Sequence, residues 1–268
     1  MTARAAFIAL VLVLLYPGTR VPLAQAQGQP VAPQRHSRLY SPLDLGLLEA
    51  PDRAAWQKPD QIMDALHVAE GSKVADIGAG AGWFTIRLAR RVGPNGIVYA
   101  QDLERLMIEA ITRRVSREGL RNVETRLGSG SDPKLTPASL DAALVVDSYQ
   151  EVEVDDRVPF LKNLTKALKP NGLIGIVNWK PGQGGPGPDP RPDRDGAEDV
   201  RVPRESVEAD ARAANLRVIA QENLPYQYLL VLAPYTRKES GIGNQESAGT
   251  GNQESGRRAG SRNQGPAR

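Results

Sequence analysis

The sequence predicts an α/β fold in which helices cover both faces of a mostly parallel, seven-stranded sheet. From Lys73 onward, short β-type runs alternate with segments whose apolar residues recur every three or four positions, which indicates strand–helix–strand crossovers. The last two β-type runs are joined by a connection too short for a helix, so they are expected to pair antiparallel. Together these observations predict a doubly wound, Rossmann-like sheet with five parallel strands and a C-terminal antiparallel hairpin.

The five parallel strands are expected at 73–77, 97–101, 123–127, 142–146 and 173–179. Between them, apolar side chains line one face of each helical segment, as Phe84, Leu88 and Val92 do after the first strand. The segment 169–172 (Lys-Pro-Asn-Gly) ends the last crossover helix, because Pro, Asn and Gly favour turns. After the fifth strand we expect a Pro/Gly-rich loop over 181–196, a helix over 204–214, and the hairpin strands 217–223 and 226–233.

The two ends of the chain differ in composition from the middle. Residues 1–26 resemble an export signal, with Arg4, an apolar run and the small-x-small pattern Ala24-Gln25-Ala26, so a periplasmic or secreted protein is expected. A reporter fused after residue 26 would stay in the cytosol if this interpretation is wrong. An uncleaved membrane anchor is the alternative, although the apolar run is shorter than the about 20 residues of a comfortable membrane span. After cleavage no stable membrane span is expected. We divide the rest into an N-terminal extension (27–55), the folded domain (56–236) and a Gly/Asn/Gln/Ser-rich disordered tail (237–268).

Composition excludes several kinds of site. The chain has no cysteine and only two histidines, so disulfides, thiolate nucleophiles and a His- or Cys-rich metal site are excluded, and no metal is expected. The net charge of +3 comes from the ends: because the tail carries +3 and residues 1–26 carry +2, the middle is left at −2. A slightly acidic domain without a Lys/Arg stripe is not expected to bind nucleic acid.

The most informative motif lies between the first strand and the first crossover helix. A strand ends in Asp76, and the turn that follows has glycine at alternate positions: Gly78, Gly80 and Gly82. Glycines there permit positive φ and let a ligand lie against bare backbone. A dinucleotide fingerprint counted from Gly78 would need glycine at position 83, which is Trp83, so an NAD-dependent oxidoreductase is disfavoured. Asp102 ends the second strand, where a carboxylate can accept hydrogen bonds from both ribose hydroxyls of an adenosyl group.

With these motifs the chain resembles a class I S-adenosylmethionine-dependent methyltransferase, similar to the small-molecule branch that includes the ubiquinone/menaquinone C-methyltransferases. The matching residues are 76–82, Asp102, the fourth strand from Asp141, and the turn 168–173. The resemblance implies that Gly78, Gly80 and Gly82 pack the methionine end of S-adenosylmethionine.

It also implies a role for each acidic residue of the cofactor site. Asp76 would orient the ammonium group of the cofactor, and Asp102 would hold its ribose. This family usually has Gly-Asp after the third strand, where the carboxylate contacts adenine. Here the pair is Gly128-Ser129, with Asp132 three residues later, so the adenine contact falls to Ser129 or Asp132 and stays open.

The substrate is expected beyond the carboxyl ends of the fourth and fifth strands, where open α/β sheets bind ligands. Three side chains delivered there can accept or orient a proton: Asp147, Tyr149 and Glu151. Trp179 is the candidate apolar wall. Each of these side chains has a structural alternative, as a cap, a solvated side chain or a core residue, and the catalytic residue stays open.

Two functions fit these motifs. The first is methyl transfer from S-adenosylmethionine to an unidentified small molecule. The second is an exported, non-catalytic protein that binds S-adenosylmethionine or a related nucleoside, suggested by the lack of an obvious methyl supply outside the cytosol.

Overall fold

The computed structural model describes residues 49–182 and 201–235. The predicted signal (1–26), most of the extension 27–55 and of the loop 181–196, and the tail 237–268 lie outside the described residues. Within the described part, one sheet of seven strands has the order β3-β2-β1-β4-β5-β7-β6. The strands are β1 (Lys73–Ile77), β2 (Ile97–Asp102), β3 (Val123–Leu127), β4 (Leu140–Val146), β5 (Leu168–Trp179), β6 (Leu216–Asn223) and β7 (Gln227–Pro234). The helices are α1 (Arg53–Gln57), α2 (Pro59–Ala65), α3 (Trp83–Val92), α4 (Arg105–Arg117), α5 (Val154–Ala167) and α6 (Arg204–Ala213).

The pairing directions confirm the predicted fold class. The pairs β3–β2, β2–β1, β1–β4 and β4–β5 are all parallel, and β7 pairs antiparallel with both β5 and β6. β7 therefore lies inside the sheet although it is the last strand of the described chain. This order places the carboxyl ends of β1, β2, β4 and β5 side by side at one edge.

The sheet has an apolar core on each face. On one face, α5 and α6 pack Phe160, Leu161 and Val207 against strand residues such as Ile174 and Leu230. The other face is covered by α2 and α3, which contribute Ile62, Leu66, Phe84 and Leu88. Because both faces are covered, β4 is apolar along nearly its whole length, as expected for a central parallel strand. Within the described residues, no helix is long and apolar enough to cross a membrane.

Two stretches of backbone are irregular in detail. Ahead of β1, α1 and α2 are separate helices, and Lys58 between them has φ 54° and ψ 56°. Its neighbour Pro59 explains the break, because the residue before proline is kept out of the right-handed helical region. β5 begins at Leu168 rather than at residue 173, although α5 ends as predicted.

The early start of β5 is accompanied by an irregular register against β4. Leu140 pairs with Leu168 and Ala142 pairs with Leu173, so β5 has three more residues than β4 across this interval. Pro170, which has no N–H, lies in this bulged segment. Gly172 lies there too, and a Cβ at this glycine would come 2.9 Å from the Leu140 carbonyl oxygen.

Candidate cofactor and substrate site

A glycine turn joins β1 to α3 at the carboxyl edge of the sheet. Gly78, Gly80 and Gly82 have φ of 67°, 54° and 78°, which side chains with a Cβ adopt only at a cost. A Cβ on Gly78 would lie 2.4 Å from the Cβ of Ser148, the second residue after β4. The Ser148 hydroxyl donates a hydrogen bond to the Ile77 carbonyl at 2.9 Å. Glycine at position 78 therefore allows the ends of β1 and β4 to approach closely.

Asp76 lies at the base of this turn and is almost fully buried. The Thr85 hydroxyl, in the first turn of α3, donates a hydrogen bond of 2.6 Å to Oδ2 of Asp76. Burial raises the pKa of Asp76 to about 6, although the Thr85 hydrogen bond and the charge of Arg53 act in the opposite direction. At neutral pH the carboxylate is thus charged in a desolvated place, where a cationic ligand group would stabilise it.

Asp102 connects the glycine turn to the end of β2. Its Oδ2 accepts the Gly80 N–H at 2.9 Å, and its Oδ1 accepts the Glu104 N–H at 2.9 Å. Burial raises the pKa of Asp102, and these backbone hydrogen bonds oppose the shift. A carboxylate oxygen has two lone pairs, so each oxygen can accept a further hydrogen bond from a ligand hydroxyl.

Ser129 and Asp132 form a turn after β3. Their backbones exchange hydrogen bonds of 2.9 and 3.2 Å. The Asp132 carboxylate accepts the Lys134 backbone N–H at 2.9 Å and the Lys134 ammonium at 3.0 Å, and these hydrogen bonds lower the pKa of Asp132. This carboxylate is therefore engaged by its own loop, and the choice between Ser129 and Asp132 as an adenine contact stays a prediction.

Asp147 follows β4 and lies within a hydrogen-bonded cluster that the sequence did not predict. Gln227 Nε2 donates to Oδ1 of Asp147 at 2.6 Å, and Gln57 Nε2 lies 3.3 Å from Oδ2 and 3.1 Å from Oε1 of Gln227. Arg53 donates in turn to the side-chain oxygen of Gln57. We call Arg53, Gln57, Asp147 and Gln227 the amide cluster.

The charge state of Asp147 is set by two opposing effects. Burial raises its pKa to about 6, while the charges of Arg53 and Arg201 and the two glutamine hydrogen bonds hold it lower than burial alone would. Asp147 also has a φ of 56°, and its N–H bonds to the Val177 carbonyl of β5 at 2.9 Å. The backbone thus fixes the carboxylate at the meeting point of β4, β5 and α1.

The other two proton-acceptor candidates are placed differently. Tyr149 is fully buried, and its hydroxyl donates to Oδ2 of Asp210 on α6 at 2.8 Å. Burial and this hydrogen bond raise the pKa of Tyr149 far above its usual value, so the geometry favours a packing role. Glu151 is partly exposed and ends a short 3₁₀ helix, Tyr149–Glu151. Among the three candidates, Asp147 is the one that belongs to the amide cluster.

An aromatic wall lies beside the amide cluster. The rings of Trp56 and Trp179 are 5.2 Å apart, and Tyr226 contacts Trp56 edge-on at 6.4 Å. Trp56 precedes Gln57 in α1, and Trp179 pairs with Gln227 across β5 and β7. The structure therefore brings Trp179 next to the candidate substrate edge.

Trp83, the first residue of α3, has two guanidinium groups close to its ring. The Cζ atoms of Arg53 and Arg87 are 4.4 and 3.3 Å from its ring centroid. Burial lowers the pKa of Arg87, and the neighbouring charges of Arg53 and Arg114 add to this effect. Positive charge is thus concentrated beside the glycine turn.

No group of three or more His, Cys, Asp or Glu residues that could hold a metal is found among the described residues.

The comparisons with known proteins agree with this geometry. Residues 74–172 match the family model described as a methyltransferase domain. Nocamycin O-methyltransferase of Saccharothrix syringae is 30% identical over 121 residues, which are 45% of this chain and 42% of that protein. Demethylmenaquinone methyltransferase of Geobacillus stearothermophilus is 30% identical over 118 residues, 44% of this chain and 49% of that protein. The chain spans about half the length of the curated relatives it matches.

Solved structures show the same fold. A SAM-dependent methyltransferase from Aquifex aeolicus superimposes with a TM-score of 0.64 at 24% identity, covering 72% of this chain and 98% of that one. A geranyl diphosphate C-methyltransferase from Streptomyces coelicolor A3(2), solved with S-adenosyl-L-homocysteine, has a TM-score of 0.56 at 16% identity over 78% of this chain and 86% of that one.

The chain resembles the class I S-adenosylmethionine-dependent methyltransferases: residues 74–172 match a methyltransferase domain, and the seven-stranded sheet has the fold of the solved S-adenosylmethionine-dependent enzymes. Within that class it resembles the branch of the demethylmenaquinone and ubiquinone/menaquinone C-methyltransferases. The cofactor of this class is S-adenosylmethionine, and the residues present fit it: two buried carboxylates, Asp76 and Asp102, flank a turn that is bare of side chains at Gly78, Gly80 and Gly82.

Proposed function

We propose that this protein transfers a methyl group from S-adenosylmethionine to a small-molecule acceptor. The observation that carries the proposal is the hydrogen bond of 2.9 Å from Gly80 N–H to Asp102, which fixes the glycine turn against the end of β2. It lies within the segment that matches the methyltransferase family model. Preorganised backbone of this kind lowers the entropy lost when a ligand binds.

Each residue of the site has a defined task under this proposal. S-adenosylmethionine supplies a methyl group bound to a positively charged sulfur. Asp76 offers a buried negative charge to the ammonium group, and Asp102 accepts hydrogen bonds from the ribose hydroxyls. The glycines keep side chains away from the cofactor. Positioning then contributes most of the rate enhancement, because methyl transfer is an in-line displacement.

The acceptor is expected at the carboxyl ends of β4 and β5. The aromatic wall of Trp56, Trp179 and Tyr226 offers apolar rings there, and the amide cluster offers polar groups beside it. Pockets with mostly apolar linings and a few fixed polar groups are typical of small-molecule sites. This combination favours a small organic acceptor over a polymer.

Calorimetric titration of the full chain with S-adenosylmethionine and S-adenosylhomocysteine tests the proposal. We expect micromolar binding of both ligands, and we expect Asp102→Ala to lose at least about tenfold in affinity because a hydrogen-bonded carboxylate contributes on the order of 1.5–3 kcal/mol. Glu109→Ala is the matched control, since Glu109 is an exposed carboxylate on α4, the helix that follows β2. An unchanged affinity in Asp102→Ala would refute the ribose assignment, and a wild-type chain that binds neither ligand would refute the function.

A further inference from the structure

The cofactor roles leave one half-buried carboxylate of the site unassigned. Asp147 lies at the carboxyl end of β4, where the glycine turn meets Ser148, but it makes none of the hydrogen bonds that hold the turn. Its hydrogen bonds go to Gln57 and Gln227, both of which are completely buried. If this position only had to be filled, an apolar side chain would make the fold more stable, because desolvating a carboxylate is costly.

The hydrogen-bond partners of Asp147 hold it in place without filling its acceptor capacity. Each carboxylate oxygen accepts one glutamine N–H, and each oxygen has room for another hydrogen bond. The glutamines are themselves oriented, because Arg53 donates to Gln57 and Gln57 donates to Gln227. The amide cluster therefore fixes the direction of the carboxylate while leaving it able to accept a proton.

The charged groups that face Asp147 are cationic. They are Arg53 on α1 and Arg201, whose guanidinium donates to the Lys180 carbonyl at the end of β5. With burial raising its pKa to about 6, Asp147 is ionised at neutral pH and is still a stronger base than an exposed aspartate. A pKa just below the working pH suits a group that takes up and releases a proton in each turnover.

A second polar group near the amide cluster has no hydrogen-bond partner within the part of the chain that the structure describes. The indole Nε1 of Trp56 is buried and has no hydrogen-bond partner, although Trp56 is the neighbour of Gln57 in α1. Buried polar groups in folded proteins are nearly always hydrogen-bonded, so an unpaired one next to a ligand site needs an explanation. A ligand oxygen could accept this N–H while the ligand ring rests against Trp56 and Trp179.

From these observations we propose that Asp147 binds the O–H group of the methyl acceptor and takes its proton during methyl transfer, so that the acceptor is a protic, ring-bearing molecule. The inference rests on the proposed function. The acceptor atom gives its electron pair to the methyl carbon, the sulfur keeps the pair of the broken carbon–sulfur bond, and the acceptor proton passes to Oδ of Asp147. Tertiary amines and thioethers are excluded as natural acceptors, because they have no proton to lose.

The test uses 4-nitrophenol as the probe and the full-length protein saturated with S-adenosylhomocysteine. The probe changes its visible absorption on ionisation, so its binding and its protonation state are read together. The test variant is Asp147→Asn, because asparagine tolerates the left-handed backbone at this position and still accepts a hydrogen bond. Asp141→Asn is the matched control: the same change at a carboxylate near the start of β4, six residues before Asp147 and thus about 20 Å away along the strand direction.

We expect the wild type and Asp141→Asn to bind the neutral phenol, with affinity falling about tenfold as the pH drops below 6 and Asp147 becomes protonated. In Asp147→Asn this acidic limb should disappear, and the phenolate should bind about tenfold more tightly than in the wild type, because the like charge is gone. Identical pH profiles in the wild type and Asp147→Asn would overturn the inference, and so would a protein that binds S-adenosylhomocysteine but not the probe. Failure to bind S-adenosylhomocysteine would instead overturn the proposed function, which keeps the two failures distinguishable.

Discussion

Folding shifts the pKa values of the Asp76 and Asp141 carboxyl groups in opposite directions. Burial raises the pKa of Asp76 to about 6. Burial alone would also raise the pKa of Asp141, but hydrogen bonds from the Lys169 ammonium and the Lys73 backbone N–H together hold it below its usual value. By linkage, a raised pKa costs stability at pH values above it, and a lowered pKa adds stability there.

Asp76→Asn is therefore expected to make the fold more stable at neutral pH. The native pKa of about 6 exceeds the ordinary value of 3.8, so the stabilising contribution of Asp76 is complete below about pH 4 and is lost as the pH rises through 6. Removing the charge should raise the free energy of unfolding at pH 7 by up to about 3 kcal/mol. Urea denaturation at pH 4 and pH 7 measures this, and the difference from wild type should close at pH 4.

Asp141→Asn provides the control of opposite sign. It should lower the free energy of unfolding at neutral pH, since it removes the ion pair with Lys169, and this effect should fade as the pH falls through the lowered pKa of Asp141. If both variants shift stability in the same direction at pH 7, the account of Asp76 as a buried charge retained for ligand binding is wrong. A gain in stability combined with weaker cofactor binding would be the usual trade-off at a functional site.

The sequence was more informative about the carboxylates beside the glycine turn than about the amide cluster. Asp76 and Asp102 stand in a local pattern, a strand end followed by a glycine turn or a helix, which can be recognised within a few residues. Gln57 and Gln227 are 170 positions apart, and they meet at Asp147 only because β7 enters the sheet next to β5. The one local signal for Gln227 is a polar residue at the start of a strand that is otherwise apolar, and this signal is too common to identify a site.

At the scale of elements, the contact between α2 and β5 depends on a glycine. A Cβ on Gly175 would lie 2.7 Å from Cδ1 and 3.0 Å from Cδ2 of Leu66, which is itself buried. Leu66 directly follows α2, so this close approach brings the C-terminal end of α2 against the sheet, and α1, which carries Arg53 and Gln57, is joined to α2 through Lys58 alone. The position of the amide cluster thus depends on a packing contact.

Gly175→Ala should lower the free energy of unfolding by about 1–3 kcal/mol through overpacking. Leu66→Ala alone should lower it by about 2–5 kcal/mol through a cavity. The double variant should cost less than the sum of the two, with a coupling on the order of 0.5–3 kcal/mol, because the added methyl enters the space that the leucine leaves. A double-mutant cycle by chemical denaturation measures this coupling; additive losses would show that the two side chains do not compete for the same space.

Element types followed from the sequence more readily than element ends. Apolar periodicity separated strands from helices because the central strands are buried on both faces of the sheet, whereas the helices that cover those faces bury one side each. The break at Lys58 and the bulge over 169–172 depend on proline and glycine in a tertiary setting. Pro59 can be seen in the sequence, but the packing of α2 on the sheet as a separate helix cannot be predicted from it. Irregular backbone of this kind is where local propensity and tertiary packing compete.

At the scale of the whole molecule, β7 joins two parts of the sheet. It pairs with β5 on one side and β6 on the other, and Leu229, Leu230, Val231 and Leu232 have no exposed surface. A chain ending after residue 223 should therefore lack a cooperative unfolding transition, whereas a chain ending after residue 236 should unfold cooperatively like the full-length protein. Thermal denaturation followed by circular dichroism compares the two, and a cooperative transition in the shorter chain would contradict this view of β7.

The place of β7 also has a consequence during synthesis. A ribosome that has released residues up to β5 has produced every parallel strand, but the outer edge of β5 is bordered by nothing until residue 227 and its successors emerge. During this interval, unpaired N–H and C=O groups along β5 lie beside an apolar face, which is the kind of edge through which nascent chains associate with one another. Slow translation over residues 180–226 would lengthen this interval, so codon choice in that stretch is expected to affect the yield of native protein more strongly than codon choice before β5.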